Sequence, residues 1–114
     1  MNAPQLTHET FSDFVSVNPF VVVHCWAAWN NYDHAMRALM SDLMPDFPNV
    51  SFAEFDVDPP GHRDICRKLN VHGPPFLALY RDGELVLTRV GLIERNELRT
   101  LIVDLINPPT KEVR

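Results

Sequence analysis

The chain reads as an α/β sandwich built on a mixed central sheet. Three observations predict this. The run FVVVHCW, residues 20–26, is almost continuous in β-branched and aromatic residues, as expected of a strand buried on both faces. Between Asn30 and Asp46, Met36, Leu39, Met40, Leu43 and Met44 fall at helical spacing. The stretch PFLALYRDGELVLTRVG then sets Asp82-Gly83 between two apolar runs, which is the signature of a β-hairpin.

The remaining elements follow in order. Thr7 suits the N-cap of a short helix with Phe11, Phe14 and Val15 on one face, ending before Asn18-Pro19. VSFAEFDVD alternates as a second buried strand, and Ile65, Cys66 and Leu69 suit one face of a short helix. A last helix from Glu94 to Ile106 repeats apolar residues at Leu98, Leu101, Ile102 and Leu105. The paired prolines of the tail NPPTKEVR stop it, and the rest of the tail reads as a frayed end. The order is helix, strand, helix, strand, helix, hairpin, helix.

Bulk properties bound the function. With 114 residues, 46% of them hydrophobic, the chain fits a single domain over 1–114, its core spanning about 6–106 and its tail 107–114. Fifteen acidic residues against ten basic ones give a net charge of −5, and the basic residues are scattered, so nucleic acid is not an expected partner. The N-terminus MNAPQLTHET lacks the basic and apolar blocks of a secretory signal. No apolar run is long enough to span a bilayer, so no membrane association is expected. Two cysteines do not make a disulfide framework. The expectation is a cytoplasmic monomer or weak dimer.

The stretch HCWAAWNNYDHAM, residues 24–36, carries the functional question. WAAW enters a helix, FDVD ends the next strand, VHGPPFLALYRDGE surrounds a proline after glycine, and Gly91 follows the last strand. In that order and spacing the chain resembles the thioredoxin family from about Leu6 to Ile106. The resemblance implies a thioredoxin fold, with helices on both faces of the mixed sheet and Pro75 as the cis-proline facing the site turn.

Redox members of that family carry cysteines where this chain has Asn30 and Asp33. The former active-site positions are therefore Asn30, Asn31, Tyr32 and Asp33. Disulfide exchange needs a thiolate to attack and a second sulfur to resolve. Neither asparagine nor aspartate does either step, so this turn cannot run a dithiol cycle.

Asn30 suits an N-cap, and Asp33 falls at the third helical position, from which a carboxylate reaches back in a capping box. The helix dipole would add roughly 0.3–1 kcal/mol for that carboxylate. Acid–base work by Asp33 with His34 or His72 is the functional rival. Under the second cysteine the family often keeps a buried Asp paired with a Lys. The resemblance places His24 and Glu54 there, with both charges inverted, and implies that they persist as a buried polar pair. The residue before the cis-proline, whose backbone docks peptide substrates in the family, is Pro74. It has no N–H, so half of that ladder is lost and only its carbonyl stays available.

Other chemistries are weaker. Cys25 should pack as a small hydrophobe in the central strand, and Cys66 on the apolar side of a short helix. Both can face one helical layer, which leaves a Cys25–Cys66 disulfide open. His8, His24, His34, His62 and His72 show no compact ligand spacing, so no metal and no cofactor is expected. Trp29, Tyr32, Pro74 and Pro75, with Phe76 beneath them, would surround a shallow groove, and exposed aromatics are frequent binding anchors. The expected function is a redox-inactive protein-binding, adaptor or chaperone-like module with a protein partner on this face. The alternative is a thiol-redox or related enzyme with residual activity through Cys66 or Cys25. Against a nucleophilic enzyme of another kind, no Ser, Tyr or Cys begins the site helix.

Overall fold

The computed structural model describes residues 3–109. The elements are β1 (Gln5–Leu6), α1 (Phe11–Val17), β2 (Phe20–Trp26), α2 (Asn31–Leu43), β3 (Ser51–Asp56), α3 (Arg63–Leu69), β4 (Phe76–Arg81), β5 (Glu84–Val90) and α4 (Arg95–Ile106). The five strands form one sheet in the order β1-β3-β2-β4-β5. β3 runs parallel to β1 and β2, whereas β4 runs antiparallel to β2 and β5. The sheet is therefore mixed, as the hydrophobic runs and the hairpin predict.

Strand alternation divides the core into two layers. Val22, Leu77 and Leu79 face one side, where Met36, Met40 and Leu43 of α2 and Leu98, Ile102 and Leu105 of α4 cover them. Val21, Val23, Cys25, Ala78 and Tyr80 face the other, beneath Phe11 and Val15 of α1 and Leu69 of α3. His24 and Glu54 sit opposite each other in the β2–β3 register. Each lies two residues along its strand from Val22 or Phe52, so both point toward the α2 side. Alternation thus places two polar residues under the site helix.

The hairpin turn is made by Asp82 and Gly83, both at positive φ (53° and 82°), the geometry that asparagine or aspartate followed by glycine adopts most readily. β5 carries a bulge opposite Leu79/Tyr80, so Val86 is the extra residue between the pairs Leu79↔Leu87 and Tyr80↔Leu85.

Three local expectations are corrected. α1 begins at Phe11, later than a Thr7 N-cap implies. Thr7 instead closes a preceding turn: its Oγ1 accepts from the N–H groups of Glu9 (3.1 Å) and Thr10 (3.3 Å). β1 was not legible, because a two-residue strand has no periodicity to detect. The site helix ends as α-helix at Leu43 and tightens to a 3-10 turn over Met44–Asp46, where Pro45 supplies no N–H for an α-helical bond. The frayed end expected of the tail lies, from Thr110 onward, outside the described residues.

Candidate functional site

The site turn follows β2. Asn30, in an extended conformation, is the N-cap of α2, and its Oδ1 accepts from the Tyr32 N–H at 2.9 Å. Its Nδ2 donates to the Pro74 carbonyl at 2.6 Å, tying the turn to the loop before β4. The Pro74 carbonyl expected to stay available for docking is thus already engaged, and Pro74 has no N–H to offer. The Pro74–Pro75 peptide bond is cis, and the Pro75 carbonyl accepts from the Gly91 N–H at 2.7 Å. Pro75 and Phe76 are buried, Pro74 is half-buried, and Asn31 is exposed at the first helical position.

Asp33 departs most from its expected place. It is 1% exposed and makes no capping-box bond. Its Oδ2 accepts from the Ala27 N–H at 3.0 Å, and its Oδ1 meets His24 Nε2 at 2.8 Å. The carboxylate turns inward because the buried imidazole below it supplies a stronger partner than solvent-exposed backbone does. Neither His34 nor His72 approaches it; both are exposed. Among the described residues no three of His, Cys, Asp and Glu converge as a metal-binding group.

The polar pair is in fact a chain of four side chains. His24 Nδ1 lies 3.1 Å from Glu54 Oε2, and Arg37 Nε donates to Glu54 Oε2 at 2.7 Å and to Oε1 at 3.0 Å. Gln5 Nε2 adds a bond to Glu54 Oε1 at 2.6 Å. Each nitrogen of the His24 ring faces a carboxylate oxygen, and in its protonated form the ring donates from both. With the ring protonated, two carboxylates, one imidazolium and one guanidinium sum to zero charge. Such a set avoids an uncompensated buried ion. The sequence had one clue to Arg37: it stands four residues after Asp33, on the same helix face. Gln5 had none, since its place depends on the register of β1.

Glu54 is burdened by burial, which raises a carboxyl pKa, yet the hydrogen bonds and charges of His24 and Arg37 outweigh it and hold the group below its ordinary value of 4.5. The unfolded chain therefore binds this proton more readily than the folded one, so stability rises with pH through this region. The contribution is complete above the ordinary glutamate value and is lost as pH falls through the depressed one. Urea midpoints measured from about pH 6 to about pH 3 should fall more steeply for the wild type than for Glu54→Gln. Equal slopes would show that Glu54 carries no such linkage.

Two aromatics stand above this cluster. Trp29 is 67% exposed and Tyr32 64% exposed, and Trp29 Nε1 donates to Asp58 Oδ1 at 3.1 Å. Beside Trp29 a groove of about 280 Å³ runs past Val57, Cys66, His72 and Pro74; of the four residues expected to surround a groove, Tyr32 and Pro75 do not line it. Both cysteines are free thiols. They face the same layer, as strand alternation suggested, but are not joined. Burial, helped by the nearby Cys66 and Asp33, pushes the Cys25 thiol far above its usual range; burial and Asp56 also raise that of Cys66.

A mixed five-stranded sheet with a site helix starting after β2, facing a proline loop before β4, defines a thioredoxin-fold protein. The family model for thioredoxin matches residues 2–104, and the chain belongs to the thioredoxin family. It is 30% identical over 92 residues to Thioredoxin-2 of Pyricularia oryzae, covering 80% of this chain and 53% of that protein. The chain thus spans about half the length of that relative. Thioredoxin C-2 of Corynebacterium nephridii is 29% identical over 98 residues, covering 84% of this chain and 89% of its own. Among solved structures, oxidized mitochondrial thioredoxin 3 of Saccharomyces cerevisiae superimposes with a TM-score of 0.82 at 27% identity, covering 90% of this chain and 95% of that one.

Proposed function

We propose that this chain is a redox-inactive thioredoxin-family protein that binds a protein partner through the former active-site face. One observation carries the reading: Trp29 and Tyr32 are two large, exposed aromatics on a turn braced by the Asn30–Pro74 and Trp29–Asp58 hydrogen bonds. Aromatic anchors on a rigid platform bind at low entropic cost. Side chains, rather than a backbone ladder, make the contact, because Pro74 offers no N–H and its carbonyl is already bonded to Asn30. Loss of both turn cysteines removes the dithiol cycle. The raised pKa values of Cys25 and Cys66 leave little thiolate for exchange. Two free thiols also suit a cytoplasmic setting, where cysteines stay reduced.

The test is a native pull-down with the wild type beside the Trp29→Ala/Tyr32→Ala double variant, with disulfide and peroxide turnover assayed in parallel. Each anchor contributes on the order of 2 kcal/mol or more at a hot spot, so the double variant should weaken a discrete complex by at least about a hundredfold. A partner held equally by both proteins would move the interface elsewhere. Turnover that disappears in Cys66→Ser would replace the binding reading with a thiol enzyme.

A further inference from the structure

Away from the site turn, α1 and α3 leave a second cleft, of about 290 Å³, above the β4 side of the sheet. Much of its lining is apolar, with Phe11 and Val15 from α1 and Ile65 and Leu69 from α3, and Ser12 of α1 adds a hydroxyl. Its lining includes Tyr80 of β4, which is only 7% exposed. The Tyr80 ring meets the Phe11 ring edge-on, with centroids 6.0 Å apart, but among the described residues its hydroxyl has no hydrogen-bond partner. A hydroxyl on a cleft wall that has no partner among the described residues is open to water or to a ligand. Lys68 and His8 line the same cleft and are exposed. The carboxylate nearest Lys68 in sequence, Asp64, is bonded to Arg67 at 2.9 Å, and no carboxylate pairs with Lys68 among the described residues.

The combination is a largely apolar slot with a hydroxyl donor and an exposed ammonium, in a chain of net charge −5. We propose that this cleft binds a small organic acid, its hydrocarbon body between α1 and α3 and its carboxylate between the Tyr80 hydroxyl and Lys68. Ligand sites have this composition: mostly apolar walls with a few polar groups that fix orientation. The volume sits at the lower end of the range for such sites and suits a short-chain acid rather than a long one. Burial pushes the Tyr80 phenol up to about 12, so at neutral pH it is a donor, as a carboxylate requires. The site shares no residue with the proposed partner-binding face and stands or falls without it.

The test is titration of the full chain with hexanoate, followed by amide chemical shifts. Saturable shifts confined to α1, α3 and β4 are expected. Tyr80→Phe keeps the ring and loses only an unpaired hydroxyl, so it should fold as well as the wild type. It should bind hexanoate about tenfold more weakly or worse, the effect of removing one hydrogen bond to a charged group. Lys68→Met should weaken hexanoate comparably while leaving the affinity for neutral hexanamide unchanged. N-acetyl-leucine in a parallel titration separates the sources of the acid. Tighter binding than hexanoate identifies a peptide C-terminus, and weaker binding identifies a free acid. Absence of saturable shifts in the cleft, or equal hexanoate affinity in wild type and Tyr80→Phe, would overturn the proposal.

Discussion

Replacing His24 by alanine is expected to cost about 3–5 kcal/mol of folding stability, read as a drop in urea midpoint at unchanged m-value. The reason is what remains behind. Without the imidazole, Asp33 and Glu54 lie buried with no ring nitrogen between them. Glu54 keeps Arg37 and Gln5, so its share of the penalty is the smaller. Asp33 keeps only the Ala27 N–H and carries the larger part. Against a typical total of about 5–15 kcal/mol, the loss brings the variant close to unfolding at physiological temperature. Adding Asp33→Asn to His24→Leu should recover part of it, because a neutral amide needs no counter-ion. A cost for His24→Ala below about 1 kcal/mol would mean that the imidazole does not hold the two carboxylates.

Asp33→Ala is expected to be nearly as damaging, at about 3 kcal/mol or more, and its size discriminates between two roles. A capping or dipole role at a helix N-terminus is worth roughly 0.3–2 kcal/mol. In the folded chain the same substitution strips His24 Nε2 and the Ala27 N–H of their acceptor at once. A buried ring nitrogen and a buried N–H then lose their shared partner. The two substitutions also act on one bond, so their costs should not add. The His24→Ala/Asp33→Ala double variant should be more stable than the sum of the single losses predicts, with a coupling of about 0.5–3 kcal/mol in a double-mutant cycle. Additive losses would place Asp33 and His24 in separate environments.

Much of this molecule was legible before folding. The run FVVVHCW, the helical spacing through Met36, Met40 and Leu43, and Asp82-Gly83 each reflect local geometry: pleat, helical period and turn dihedrals. They appear as β2, α2 and the β4–β5 turn. Asn30 was legible as an N-cap for the same reason, since capping involves only neighbours in sequence. The resemblance, carried by the spacing of WAAW, FDVD and the proline loop, pointed to His24 and Glu54 as neighbours, and the β2–β3 register puts them opposite each other.

What folding alone decided are matters of long-range juxtaposition. By sequence, Asp33 had a sufficient local role three residues into a helix; only the packing of α2 over β2 and β3 offers it an imidazole 2.8 Å away. Gln5 joins the cluster through the β1 register, which local pattern does not specify, and Arg37, legible only as a neighbour of Asp33 on one helix face, reaches Glu54. The Pro74 carbonyl is taken by a side chain 44 residues away. Sequence by itself determined the longer elements, the hairpin and which faces turn inward, because hydrophobic period and turn chemistry are properties of adjacent residues. Tertiary structure decided the partners of the polar groups, because a buried charge takes the nearest compensating group in space, whatever its distance along the chain.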